Sequence, residues 1–599
     1  MRRTAKRFPD HVAVECPEGE LTYAALEARS DHLARTLQAA GAVPGTVIPV
    51  IAEDRREVIV AILGVLKARG VFAPLDPSGP HLRTAAMLSA LSPELAVVGA
   101  TRSERDLRTV KNAAPSASVI TLDLNGSCDG TPVETLSAPD DECYIFFTSG
   151  STGHPKGIVG RLRAVDHYVQ WETGLVGVRE GWRVSHLASP AFDAMLRDVF
   201  VPLCAGGTVC VPPRAARTDA RELIRWLDTR RISLVHCVPS VFRGIAAAAT
   251  SSDCELASLK WIAMAGERLA PRDVGLWFDR YGERIGLLNL YGPSEATMTK
   301  TYHVIKPADA HRASVPIGRP MPGAEALVID NQRRLCQEED VGEIYLRTPY
   351  LSHGYYCHPD ATREVFVPNP LTGDLDDIVY KTGDFARVLL GGDLEFLGRK
   401  DHQVKLGGIR VELEEIESVL RELPVVKEAA VVFVDEVEVP YLCAFLELAD
   451  GEFDERLARS RLRDRLSETV APAVLVPLPE IPRTVSGKID RRSLPVPPPG
   501  HGLQPADTLS GPRTPTERTL TELLHEIFPA LKTDVRADFL NAGGHSLLVM
   551  RLLSRLHSDF GIEVPLQAFL ASPTIESLAR WIDGAIPAGH TSLEELRRG

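Results

Sequence analysis

Two short runs of this chain carry residues whose types and spacing suit phosphate chemistry. The first is Phe147-Thr148-Ser149-Gly150-Ser151-Thr152-Gly153-His154-Pro155-Lys156-Gly157. Glycines let a backbone approach a polyanion closely, and hydroxyls and backbone N–H groups donate to phosphate oxygens. The G-x-x-x-x-G-K-[ST] spacing of a Walker A loop is absent, so this is a different kind of cradle; a flexible polar surface loop is the plain alternative. The second run is Asp538-Phe539-Leu540-Asn541-Ala542-Gly543-Gly544-His545-Ser546-Leu547-Leu548. It puts Ser546 at the start of a helical pattern, where a simple N-cap serine is the plain alternative. The spacing is not G-x-S-x-G, so no hydrolase nucleophile elbow is indicated.

These runs need elements to hold them. The chain has 599 residues, and about 150 residues per domain suggests roughly four folding units. Leu26, Leu33 and Leu37 mark one helical face, and the strand-like Val47–Ile51 follows. A helix near 57–68, the run Val71–Leu75 and then Glu94–Val98 continue the alternation, which argues for α/β layers. Around 398–448 the texture changes to short runs, Ala429–Val434 and Tyr441–Phe445, fitting a smaller α+β domain. Pro495 to Pro515 holds seven prolines in 21 residues and reads as an extended tether. Beyond it the pattern is helical. Leu520, Leu523, Leu524 and Ile527 share one face, as do Val549, Leu552, Leu553, Leu556 and Phe560 after Ser546. Thr574 is placed to cap a last helix, and a bundle of about four short helices closes the tail.

Composition narrows the partners. Lys plus Arg number 67 against 80 Asp plus Glu, a net charge of −13. That argues against nucleic acid as the main partner and gives no reason to expect an anionic membrane surface. The nine-residue apolar run Val58–Leu66 is well short of the ~20 residues a membrane span needs. The N-terminus lacks an apolar signal region, and the ten cysteines include no C-x-x-C pair. Reduced thiols in a cytoplasmic protein are expected.

Further segments extend the first run in a fixed order across about residues 8–494. They include Leu21-Thr22-Tyr23, Leu66-Lys67-Ala68, Pro74-Leu75-Asp76 and Phe192-Asp193, then Asn289-Leu290-Tyr291-Gly292-Pro293-Ser294-Glu295. Gly342-Glu343-Ile344, Tyr380-Lys381-Thr382-Gly383-Asp384, Gly398-Arg399-Lys400-Asp401-His402-Gln403-Val404-Lys405 and Ser486-Gly487-Lys488-Ile489-Asp490-Arg491 complete the series. In this the chain resembles the adenylate-forming superfamily, in particular the amino-acid adenylation domains of nonribosomal peptide synthetases. The Ser546 run resembles the attachment site of a peptidyl carrier protein. The resemblance implies a large α/β subdomain over 1–400, a small mobile one over 401–494, a linker over 495–515, a carrier over 516–586 and a tail over 587–599.

The resemblance also implies roles, each with a chemical reason. ATP would be held by Thr148, Ser149, Gly150, Ser151, Thr152, Gly153 and Lys156, together with Asn289, Gly292, Ser294 and Arg399. Tyr291 would pack on adenine, and Asp384, an acceptor-only carboxylate, would suit the ribose diol. Glu295 would be the hard oxygen ligand of Mg²⁺. Lys488 would bridge the substrate carboxylate and the α-phosphate, offsetting the repulsion of two anions in the transition state. Asp193 would receive an α-ammonium, favouring an α-amino acid over acids that lack this cation. Ala194, Arg197, His236, Ala263, Ala265, Leu290, Met298 and Thr299 would line the side-chain pocket. Arg197 either faces that pocket, where an acidic or strongly hydrogen-bonding side chain would be its partner, or turns away to pair with a neighbouring acid. Asp401 would be the hinge, and Ser546 would carry 4′-phosphopantetheine.

Gly407 stands where the family commonly has arginine, Glu414 where glycine is frequent and Met195 where serine is commoner. The first two bear on thioester formation, the third on matching the pocket to a known specificity. The implied activity is conversion of an amino acid and Mg·ATP to aminoacyl-AMP and pyrophosphate, followed by loading onto the Ser546 arm. No H-H-x-x-x-D-G condensation segment is present. A phosphopantetheinyl transferase, a downstream condensation or tailoring enzyme and, optionally, a small MbtH-like protein are the implied partners. An acyl- or aryl-acid CoA ligase is the nearest rival, disfavoured by Asp193 and the carrier tail. A non-catalytic carrier scaffold is the other, disfavoured by Lys488, Asp384 and Glu295 being in place.

Overall fold

The most apolar segment of the chain becomes the helix Arg55–Lys67, in which Val58 to Val65 are all buried. Asp54 starts it: its side chain accepts from the Arg56 amide at 2.8 Å, satisfying one of the donors a helix leaves open. The preceding helix, Tyr23–Ala39, is capped the same way by Thr22 and buries Leu26, Leu33 and Leu37 against the same core. Gly64 is where these two helices touch; a Cβ there would lie 2.7 Å from the Leu33 side chain.

The computed structural model describes residues 1–100, 104–126, 128, 131–134, 137–148, 155–399, 403–406, 409–434, 441–449, 453–466, 470–472, 474–483, 489–495 and 511–527, and of the remainder 535–536, 552–553, 555–556, 560, 562, 564, 569 and 574–585. It divides into two compact units, Met1–Glu412 and Leu413–Gly599.

In the first unit a six-stranded sheet runs Ser118–Leu122, Leu95–Gly99, Val47–Ile51, Val71–Leu75, Glu142–Thr148, Lys156–Arg161. Its pairs are parallel except the last, where Thr148 faces Lys156 across an antiparallel register. A nine-stranded sheet has Gly286–Tyr291 between Trp261–Ala265 and Thr301–Ile305, with Leu234–Cys237 beyond Trp261–Ala265. An antiparallel five-stranded sheet pairs Ile378–Val388 with Val341–Arg347, Phe366–Pro368 and Leu394–Arg399. The hairpin Gln403–Leu406 with Ile409–Glu412 also belongs to this unit.

In the second unit Val426–Val434, Tyr441–Leu448 and Val474–Leu478 form one sheet, flanked by the helices Leu413–Arg421 and Glu455–Arg465. Its tail has the helices Pro515–Ile527 and Ile575–Ala585, around a core holding Leu520, Leu524, Leu552, Leu556, Phe560 and Ile582. Thr574 caps the last helix as expected, its hydroxyl accepting from the Ser577 amide at 3.1 Å. No helix among the described residues is long and apolar enough to cross a membrane.

Candidate nucleotide and amino-acid site

Strand Gly286–Tyr291 delivers the first site residues where its parallel neighbour Trp261–Ala265 also ends. Gly292 then makes the turn at very close range: a Cβ there would fall 2.6 Å from both the Met298 carbonyl oxygen and the Thr299 Cα. Thr297 and Met298 have φ of 64° and 58°, left-handed values that non-glycine residues rarely adopt. Such backbone persists where surrounding contacts hold it, and it concentrates at functional sites. Here the Lys300 ammonium donates to the Thr297 and Thr299 carbonyls at 2.8 and 3.2 Å. Burial pushes that ammonium down to about 7 against the opposing pull of Asp193.

Asp384 lies at a bend of the long strand Ile378–Val388, after Gly383 at φ 75°. Arg399, its partner in register on the next strand, donates to Oδ1 at 2.7 Å, and the Tyr291 hydroxyl donates to Oδ2. Tyr291, Asp384 and Arg399 therefore form one cluster, as the sequence implies. A carboxylate has roughly four acceptor positions, so a diol can share it with these donors. Lys405, on the hairpin, stands 6.0 Å from the Tyr291 ring centroid. Asn289 is different: its amide donates to the Pro316 carbonyl at 2.7 Å in a buried position. That amide is committed to anchoring its own strand.

Glu295 is fully buried in the short 3₁₀ turn Ser294–Ala296. Its Oε1 accepts from the Tyr355 hydroxyl at 2.6 Å, and Arg410 Nη1 reaches Oε1 and Oε2 at 2.9 and 3.1 Å. Burial alone would raise the carboxyl; Arg410 and Tyr355 outweigh it and hold the group below its ordinary range. Tyr355 also takes the Lys156 ammonium, 5.6 Å from its ring centroid. The end of the phosphate run and the candidate metal ligand thus share one aromatic neighbour. Tyr355 and Arg410 carried no signal in the sequence, and Lys405 appeared there only as the end of the Gly398–Lys405 run, with no role of its own.

Asp193 precedes the helix Met195–Ala205, and its Oδ2 accepts from the Met298 amide at 3.3 Å. Burial raises its carboxyl despite Ser294 and Met298. His236 and Ala263 sit side by side in register, and Ala265 pairs with Leu290 on the same face. Both ring nitrogens of His236 are engaged, Nδ1 with Asp198 and Nε2 with Glu172, each at 3.0 Å. Burial would depress that imidazole, but Glu172 and Asp198 hold its pKa above the ordinary value. Arg197, also buried, has Tyr168, Asp198 and Glu172 as its electrostatic neighbours. Its guanidinium has acids beside it, while its Nε makes no hydrogen bond.

Ser149, Gly150, Ser151, Thr152, Gly153, Asp401, Lys488 and Ser546 lie outside the described residues. Thr148, Lys156, Glu295, Asp384 and Arg399 lie within the first unit.

The sequence pattern of the AMP-binding enzyme family matches residues 1–356, more than half of the chain. The chain belongs to the AMP-binding enzyme family. The C-terminal domain of AMP-binding enzymes matches residues 415–488, and the phosphopantetheine attachment site matches residues 518–582. This AMP-binding enzyme is 33% identical over 599 residues to tyrocidine synthase 2 of Brevibacillus parabrevis, an alignment covering 99% of this chain and 16% of the relative. It is 32% identical over 585 residues to surfactin synthase subunit 1 of Bacillus subtilis (strain 168), covering 97% of this chain and 16% of the relative. The chain therefore spans only a small part of the length of these relatives. Among solved structures it is similar to holo-PA1221, an NRPS protein containing adenylation and PCP domains, with a TM-score of 0.79 and 25% identity over 100% of this chain and 97% of that one. It is also similar to the amide bond synthetase McbA of Marinactinospora thermotolerans, with a TM-score of 0.72, 25% identity and coverage of 82% and 98%. The mixed α/β fold with a small following domain and a helical tail is the one the sequence implies.

Proposed function

We propose that this AMP-binding enzyme activates an amino acid with ATP and loads it, as a thioester, onto a carrier domain in its own chain. One observation carries the reading: an AMP-binding body and a phosphopantetheine attachment domain follow one another in a single polypeptide. The proposed domains are a large subdomain over 1–400, a small one over 401–494 turning on Asp401, a tether over 495–515 and a carrier over 516–586.

The first half-reaction joins the amino-acid carboxylate to the α-phosphorus and releases pyrophosphate. Asp193 holds the α-ammonium, Asp384 the ribose and Tyr291 the adenine. The run from Thr148 to Lys156 cradles the phosphates. Lys488 bridges carboxylate and α-phosphate, stabilising charge as it spreads. Glu295 fits a divalent cation: its buried carboxylate already accepts a cationic group. Mg²⁺ bound there would neutralise phosphate charge. In the second half-reaction Ser546 would hold a phosphopantetheine arm, whose thiol would supply the nucleophile that accepts the aminoacyl group with AMP as leaving group. The packed helices around Leu520, Leu552 and Ile582 fit an attachment domain of this kind.

The partners are an amino acid, a phosphopantetheinyl transferase, a downstream condensation or tailoring enzyme and, optionally, an MbtH-like protein; the setting is the cytoplasm. Amino-acid-dependent ATP–pyrophosphate exchange across a substrate panel tests the reading. At least one amino acid should drive exchange well above the rate without amino acid. Activity only with fatty or aryl acids would overturn it.

A further inference from the structure

The side-chain end of the amino-acid site holds a buried polar cluster wider than the positions the sequence points to. Two residues come from the helix Leu162–Val176, Tyr168 and Glu172, both 0% exposed. Glu172 Oε1 accepts from His236 Nε2, and Asp198 Oδ1 takes His236 Nδ1, each at 3.0 Å. Asp198 Oδ2 further accepts from the Leu187 and Ala188 amides and contacts His186 Nδ1, all at 3.1 Å. Arg197 Nε stands 3.9 Å from Asp198 Oδ1, too far for a hydrogen bond.

The charge in this cluster is already balanced. Arg197 and Asp198 cancel. His236 and Glu172 share one proton whose position does not change their sum, because the charged pair and the neutral pair both total zero. The neighbouring His186 is kept neutral by burial, and the next cation outward, Arg55, has Asp76 beside it. A substrate side chain bringing a further charge would leave it uncompensated in a buried setting.

The hydrogen-bonding capacity, in contrast, is not balanced. Two buried atoms have no hydrogen bond, the acceptor Glu172 Oε2 and the donor Arg197 Nε, while the Tyr168 hydroxyl is shared between Arg197 and Thr299. Buried polar groups in folded proteins are nearly always paired, so unpaired ones of both kinds in one cluster point to a ligand. Arg197 is also an electrostatic neighbour of Asp193, so an amino acid anchored there by its α-ammonium is close to the cluster. Ala263 and Ala265 leave the sheet face beside His236 and Leu290 without bulk.

We propose that this cluster selects an uncharged side chain ending in a carboxamide, asparagine or glutamine, and that Glu172 and Tyr168 are specificity-determining residues. The amide N–H₂ donates to Glu172 Oε2, and its carbonyl accepts from Arg197 and Tyr168. The inference rests on the adenylation reading above. An apolar side chain would leave Glu172 Oε2 and Arg197 Nε unpaired, and an acidic one would place a second anion beside Glu172.

The test is pyrophosphate exchange by the full chain with asparagine, glutamine, leucine, methionine, aspartate, glutamate and ornithine. A carboxamide substrate should exceed its apolar and charged counterparts by ~10²-fold or more in kcat/KM. Tyr168→Phe and Glu172→Gln should raise the KM for that amino acid by about tenfold while leaving the KM for ATP unchanged. A charged or aliphatic amino acid as the best substrate would overturn the inference and leave the adenylation reading intact. Equal rises in both KM values would reduce the two residues to structural ones and overturn it as well. No exchange with any amino acid would remove both.

Discussion

Arg410 and Glu295 are 115 positions apart in the chain, yet the guanidinium lies 2.9 Å from a carboxylate that is entirely buried. The carboxylate proposed to hold Mg²⁺ thus already has a cation of the protein's own. A metal held by Glu295 would compete with the guanidinium for that carboxylate. Leaving a buried carboxylate with no cation costs several kcal/mol, on the order of 3.

Arg410→Gln should therefore change the metal dependence in a defined way. Without divalent cation its melting temperature should fall several degrees below wild type, and added Mg²⁺ should recover most of the loss. The Mg²⁺ concentration giving half-maximal exchange should drop severalfold. An unchanged Mg²⁺ titration with unchanged melting would show that the two cations do not share Glu295.

Lys488→Ala tests the proposed bridge between carboxylate and α-phosphate. Loss of one transition-state donor costs about 10²–10³ in rate, so exchange should fall by that factor. ATP binding, measured by calorimetry, should survive because the proposed ribose and adenine contacts, Asp384 and Tyr291, are unchanged. Near-normal exchange by the folded variant would exclude Lys488 from the chemistry.

His236 makes stability depend on pH with a fixed sign. Its folded pKa is raised above the unfolded value of about 6.5. The stabilisation is fully present below that unfolded value and is lost as pH rises through the folded one. The melting-temperature difference between wild type and His236→Asn should thus be largest below the unfolded value of about 6.5 and shrink as pH rises above it. A gap that widens with pH would mean that the imidazole is neutral in the folded protein.

Gly292→Ala asks whether the loop behind the substrate is as tight as its geometry implies. The added Cβ would meet backbone atoms of Met298, Thr299 and Lys300 at 2.6 to 2.8 Å. Overpacking of this kind costs about 1–3 kcal/mol. The variant should melt lower and show a raised KM for the amino acid. Wild-type values for both would mean that residues 297–300 yield easily.

Much of the fold was legible because burial writes periodicity into a sequence. Val58–Leu66 had to be core whichever elements surrounded it, and it is the centre of Arg55–Lys67. Leu520, Leu524, Leu552 and Leu556 declared one helical face each and meet in one core. Thr574 declared its cap by residue type. The cluster of Tyr291, Asp384 and Arg399 was legible only through the family resemblance. Asn289 stood in the same motif, but what its amide bonds to depends on a Pro316 carbonyl that no local pattern reveals. Glu172 and Tyr168 were invisible because they belong to none of the motifs that carry the family resemblance. Only the pairing of His236 with Glu172 across 64 positions brings them to the site. Glu295 stood in a motif, but its pairing with Arg410 across 115 positions is nothing a local pattern reveals.

The central claim, amino-acid activation followed by loading within one chain, is tested most directly by intact-protein mass. The chain is first modified with phosphopantetheine, then given Mg·ATP and each amino acid in turn. One amino acid should add the mass of a single aminoacyl group, released by hydroxylamine. Ser546→Ala should gain neither the arm nor the amino acid while retaining pyrophosphate exchange. A loaded Ser546→Ala protein, or a modified wild type that no amino acid loads, would contradict the account.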